Sequence, residues 1–228
     1  MKRSSISIHH FSGRQTWLAL FISMTAWLGL AQAENTADPR ELLESSSRLM
    51  VAQLNANQDE IRRNPQVVNQ LVEEYILPHI DFISASKWVL GKHWRRASQE
   101  QKLDFVRQFR TLLLHFYSSG LAEYLSNNTI DVEMFEFLPL RTPLGDKRAT
   151  VHMKVHTPGG KVVPVKYSMH LSRDGWKVYD VAVEGISLAT TYRNSFATVI
   201  SQQGIDGLIA SLAEKNQRLL AGQRIQVN

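Results

Sequence analysis

The 228 residues include 26 Lys and Arg, 21 Asp and Glu, 43% hydrophobic residues and no cysteine, for a formal net charge of +5. That length and apolar content support one sizeable core, or a core with a cavity in it. The missing thiols exclude a disulfide-stapled scaffold and a cysteine-acylated lipoprotein, and no concentrated basic stripe marks a nucleic-acid surface.

The amino terminus has the layout of an export signal. Lys2, Arg3 and Arg14 flank the start of the apolar run "WLALFISMTAWLGL", Trp17 to Leu30, whose 14 residues fall short of the roughly 20 that a membrane span needs. Ala31-Gln32-Ala33 then supplies small residues at both positions a signal peptidase reads. We therefore expect a signal peptide over 1–33, cleaved near Ala33, and a single mature domain over 34–228 with its core at about 38–220. Loss of the three leader cations takes the basic count from 26 to 23 and the net charge to +2. An exported domain that dispenses with disulfides suits a bacterial periplasm.

Helical patterns run from about Asp38 to Leu125, punctuated by caps. "DPRELLESSSRLMVAQLNAN" opens with Asp38 as N-cap and Pro39 at the first helical position, and "NPQVVNQLVEEYILPHI" repeats the device with Asn64 and Pro65. "DFISASKWVLG" has Asp81 as cap and Gly91 as stop. The longest helix follows Ser98, with Gln101 completing a capping box. In it Leu103, Val106, Phe109, Leu113 and Phe116 keep helical spacing, while Phe105, Leu112, Leu114 and Tyr117 widen the apolar arc beyond one stripe. Such a helix is buried on more than one side, either at the centre of a solid core or along a cavity.

From about Thr129 to Glu184 the apolar period becomes two, which predicts four strands: "DVEMFEFL", "ATVHMKVHT", "KVVPVKYSMHLS" and "WKVYDVAVE". Short connections containing Pro and Gly join them as an antiparallel meander. Three-residue loops at Pro158-Gly159-Gly160 and Arg173-Asp174-Gly175 would pair odd with odd positions, so that Met169 faces Tyr179, Tyr167 faces Val181 and Val165 faces Val183. One face then carries Val151, Met153, Val165, Tyr167, Met169, Tyr179, Val181 and Val183. The other carries His152, Lys154, His156, Lys166, Ser168, His170, Asp180 and Glu184, relieved by Trp176, Val178 and Ala182. Two further helices, broken around Gly204, complete the chain.

No catalytic constellation emerges. Asp180 and Glu184, four residues apart in a strand, stand roughly 13 Å apart at about 3.3 Å per residue, wider than the 6.5–9.5 Å or so of an inverting glycosidase. A solvated charge or a structural hydrogen bond is the simpler role for each. His152 and His156 share that spacing and are too far apart for one metal ion. There is no Gly-x-Ser-x-Gly elbow, and "TPGGK" lacks the spacing of a phosphate loop.

Two long segments, "ILPHIDFISASKWVLGKHWRRASQEQKLDFVRQFRTLLLHFYSSGLAEY" and "WKVYDVAVEGISLATTYRNSFATVISQQGIDGLIASLAEKN", resemble the MlaC or toluene-tolerance auxiliary proteins, periplasmic phospholipid-binding components of an ABC transport system. The resemblance implies an α+β fold, a four-stranded antiparallel sheet packed with helices around an elongated hydrophobic pocket. The pocket would hold glycerophospholipid tails as cargo, with no catalysis, metal or other cofactor. Its expected wall is Phe109, Leu113, Phe116, Val151, Met153, Val165, Tyr167, Met169, Tyr179, Val181, Val183 and Ile186. The implied partners are an outer-membrane lipoprotein–porin complex and an inner-membrane transporter with an MCE-domain subunit, met by a monomeric carrier in transient contacts. Lys87, Lys92, Arg95 and Arg96 are candidate docking residues. Two alternatives stay open: a cone-shaped α+β enzyme using Asp180 with His152 or His170, and an interaction protein that holds no lipid.

Overall fold

The computed structural model describes residues 38–141 and 146–221. The expected signal peptide and the tail after Ala221 lie outside the described residues.

The amino-terminal half is helical, and polar caps set most of its boundaries. Helix α1 (Pro39–Ala56) starts where the Asp38 carboxylate accepts the Arg40 N–H at 2.8 Å. A short helix α2 (Gln58–Arg63) follows, which the periodicity does not announce. Helix α3 (Val67–Tyr75) begins later than the Asn64-Pro65 pair suggests: the Asn64 side chain accepts from Gln66 N–H at 3.2 Å and shapes a turn instead of capping a helix. A 3₁₀ turn at Leu77–His79 holds Pro78. Helix α4 (Phe82–Leu90) is capped by Asp81, which accepts the Ser84 N–H at 2.8 Å and the Ser84 hydroxyl at 2.7 Å. Gly91, at φ 53°, ends it before the one-turn α5 (Lys92–Arg96). Helix α6 (Gln99–Asn127) opens with both arms of the Ser98–Gln101 capping box in place.

The sheet is an antiparallel meander of five strands in sequence order: β1 (Phe135–Phe137), β2 (Arg148–His156), β3 (Val162–Ser172), β4 (Gly175–Val183) and β5 (Ile186–Ser187). The fifth, two-residue strand is the one addition to the expected four. It exists because Glu184 and Gly185, at φ 51° and 84°, fold the chain back on β4 in a tight turn. Helix α7 (Leu188–Leu220) follows at once and is interrupted at Gly204, whose φ of 71° and ψ of −177° separate two straight pieces.

The register departs from the even alternation in one place. Val165 pairs with Val183 and Tyr167 with Val181, but Met169 pairs with Val178 rather than Tyr179. The turn after β3 is tighter than expected, with Ser172 opposite Gly175, and a bulge at Tyr179 restores the parity further along. The physical reason is burial. The tighter turn places Trp176 and Val178, expected on the polar face, in the core beside Met169, and the bulge returns Val181 and Val183 to Tyr167 and Val165. Burying two such side chains is worth about 1.5–3 kcal/mol each.

Three apolar clusters hold the described residues together. One joins α4, α6 and α7 around Phe105, Phe109, Leu112, Tyr192 and Leu208. A second joins α1, α2, α3 and the end of α6 around Leu54, Ile61, Val68 and Leu125. The third lies on the sheet, where Leu43 of α1 meets Val151, Met169, Trp176 and Val178. Helix α6 contributes to the first two, so most of its wide apolar arc is buried on two sides, while Leu103 and Tyr117 stay exposed.

Candidate functional site: an apolar cavity where three clusters meet

A cavity of about 400 Å³ lies where these clusters converge, inside the range of small-molecule sites. Helix α6 supplies Phe109, Leu113, Leu114, Tyr117, Ser118 and Leu121, and β4 supplies Val178 to Val181. The opposite side comes from Met50 of α1, Val72 and Ile76 by α3, Leu77, Ile80, and Phe82, Ala85 and Val89 of α4. Leu188, Ala189 and Tyr192 of α7 close it. None of these side chains is basic.

Of the residues expected on the wall, Phe109, Leu113, Tyr179 and Val181 line this cavity. Phe116 instead packs against the α4–α6–α7 cluster, with its ring edge-on to Tyr117 at 5.2 Å. Val151, Tyr167 and Met169 belong to the sheet cluster, and Met153 and Val165 are buried opposite one another between β2 and β3. Val183 is 36% exposed and Ile186 66% exposed, at the β4–β5 turn. The cause is the extent of the sheet: Leu42, Leu43, Phe137 and Leu140 pack on its apolar face, and of its strands only β4 reaches the cavity.

The wall residues missed in the sequence come from α1, α4, α7, the chain between α3 and α4, and further positions on α3, α6 and β4. Val72 and Ile76 are spaced i, i+4, while Phe82, Ala85 and Val89 follow i, i+3, i+7, a signal that marks an apolar face without saying what it faces.

The polar groups around the cavity have mostly structural duties. Asp180 accepts the Ser187 hydroxyl at 2.7 Å and the Ala189 N–H at 3.0 Å, so its carboxylate caps the first turn of α7 together with Ser187, which accepts from Thr190 N–H at 3.1 Å. Glu184 reaches Lys161 at 2.8 Å. His152 pairs across the sheet with Lys166, and His170 Nε2 lies 3.1 Å from the Asp81 carboxylate. The His170 ring also stacks on Tyr179 at 5.6 Å, and Tyr179 stacks on Trp88 at 6.0 Å. Burial opposes ionisation of Asp81, yet the Ser84 amide and hydroxyl and the His170 imidazole hold its carboxyl below the usual range. Burial raises the Tyr192 phenol, and the hydrogen-bonded Tyr117 hydroxyl adds to it.

Beside the cavity, Asn69 of α3 meets His115 of α6, with Asn69 Nδ2 3.3 Å from His115 Nδ1. Burial depresses the His115 imidazole, against a weaker opposing pull from Glu73. Glu73 itself pairs with Arg110 at 3.0 Å, so two polar contacts tie α3 to α6 behind the lining.

Comparisons with known proteins agree with this architecture. The family model described as "MlaC protein" matches residues 44–214. The chain is 30% identical to the toluene tolerance protein ttg2D of Pseudomonas putida over 205 residues, covering 87% of this chain and 91% of that one. It is 26% identical over 196 residues to the intermembrane phospholipid transport system binding protein MlaC of Haemophilus influenzae, covering 84% and 88%. The solved structure of the phospholipid-binding protein from Ralstonia solanacearum, in complex with a phospholipid, superposes with a TM-score of 0.70 at 32% identity. It covers 81% of this chain and 99% of that one. The match runs from α1 into the second piece of α7 and takes in every element that lines the cavity: the chain belongs to the MlaC protein family.

Proposed function

We propose that this protein is a periplasmic phospholipid carrier with no catalytic activity, exported as a chain whose mature part, residues 34–228, forms one domain. The observation that carries the reading is the 400 Å³ cavity, walled mainly by apolar side chains and with no Lys, Arg or His among the described lining residues, in a fold whose Ralstonia solanacearum relative holds a phospholipid. Acyl tails fit such a wall because each sheltered methylene is worth about 0.8 kcal/mol, so about ten of them oppose escape into water by roughly 8 kcal/mol. A cargo held so firmly is handed over in contact with other membrane components. The carrier then moves glycerophospholipid between an outer-membrane lipoprotein–porin complex and an inner-membrane ABC transporter with an MCE-domain subunit, helping maintain the lipid asymmetry of the outer membrane.

The enzyme alternative needs Asp180 free to act, whereas its carboxylate is engaged by Ser187 and Ala189. Purification without detergent followed by native mass spectrometry should find stoichiometric phospholipid. A lipid-free preparation that also takes up no phospholipid on reconstitution would overturn the proposal.

A further inference from the structure

One group in the lining has no partner. Ser118 is 2% exposed, faces the cavity from the middle of α6, and its Oγ makes no hydrogen bond. Among the described residues it is the only buried, unpartnered side-chain oxygen or nitrogen in the lining. The charged group of the lining is already engaged: Asp180 accepts from Ser187 and Ala189. A buried hydroxyl left without an acceptor is a standing cost in the empty protein, and a ligand that brings the acceptor removes it.

We infer that the Ser118 hydroxyl is a specificity determinant for acyl-ester lipids, donating a hydrogen bond to an ester carbonyl oxygen of the cargo; this rests on the carrier reading above. The chemistry of the lining selects that group. Acyl tails offer no acceptor. A phosphate is charged, and among the described residues no cation lines the cavity to receive it, so burying it there is costly. The ester carbonyl is a neutral acceptor placed by covalent structure between tails and headgroup. Ser118 sits beside an opening: its neighbour Tyr117, itself a lining residue, is 44% exposed, and the apolar lining continues along α6 through Leu113 and Leu114 on one side and Leu121 on the other.

The test compares two lipids that differ only in their two ester carbonyls. The protein, stripped of lipid, is loaded from mixed micelles holding equal amounts of a diester phosphatidylglycerol and its diether analogue with the same headgroup and chain length. Detergent is removed and bound lipid is counted by mass spectrometry. The wild type should retain the diester over the diether by roughly three- to tenfold, the worth of one net hydrogen bond, and Ser118→Ala should bring that ratio close to one while still binding both. The lipid-free Ser118→Ala protein should melt no lower than the wild type, since it loses only an unsatisfied hydroxyl. An unchanged ratio in Ser118→Ala, or no preference in the wild type, overturns the inference and leaves the carrier reading standing. Failure of the wild type to bind either lipid overturns both.

Discussion

The Asp180 carboxylate accepts the Ala189 N–H at 3.0 Å across the β4–β5 turn and so fastens the sheet to the start of α7. That contact sets where Leu188 and Ala189 enter the cavity wall. Asp180→Ala removes an acceptor from the helix terminus and should cost about 1–2 kcal/mol of stability. Asp180→Asn keeps the geometry and should cost roughly 0.5 kcal/mol. Chemical denaturation of the two variants checks the order, and equal losses would show that charge rather than capping matters.

Filling the cavity should separate binding from folding. Leu113→Trp projects a larger side chain into the open volume and should strongly reduce bound phospholipid after reconstitution, with the far-UV circular dichroism unchanged. Val183→Trp, at an exposed position away from the lining, should load like the wild type.

Stability should fall on acidification through His115. Its folded pKa is depressed, chiefly by burial, so the unfolded chain takes up a proton first and stability is lost as pH drops below about 6.5. The geometry agrees, because the Asn69 amide can donate to an unprotonated Nδ1 at 3.3 Å but meets a competing donor once that nitrogen is protonated. His79 adds in the same direction, being lowered first by burial and then by Lys177. Thermal melts between pH 5 and 8 should therefore show a slope that His115→Gln reduces.

Glu184 adopts φ 51°, in the left-handed region that ordinary side chains avoid. Glu184→Asn suits the turn better and should stabilise by roughly 0.5 kcal/mol, even though the exposed contact with Lys161 is lost. A lower melting temperature would mean that the ion pair outweighs the backbone.

Much of this architecture could be read from residue order. Ser98 and Gln101, Asp81 and Gly91, and the break at Gly204 all act locally, through bonds within four residues, so the sequence alone places them. The cavity wall was only partly legible. Periodicity identifies the apolar face of β2 and β3 but not what covers it, and Leu43 of α1, over a hundred residues away, decides that Val151 meets solid core. Ser118 carries no sequence signal at all, because a serine inside an apolar helix looks the same with or without a partner.

Tyr179 is a residue the sheet does not need. If it were removed, Asp180 would still face Ser168 and Val178 would still face Met169, and β3 and β4 would run as an unbroken ladder with Trp176 still inside. Its place in the chain serves the wall instead, where the ring stands between Trp88 and His170 and borders the cavity. Deleting this one amino acid should therefore leave a folded protein with a more regular sheet and a breach in its container, seen as faster loss of bound phospholipid to vesicles. The irregular strand is a fitted shutter, added to a framework that would close more neatly without it.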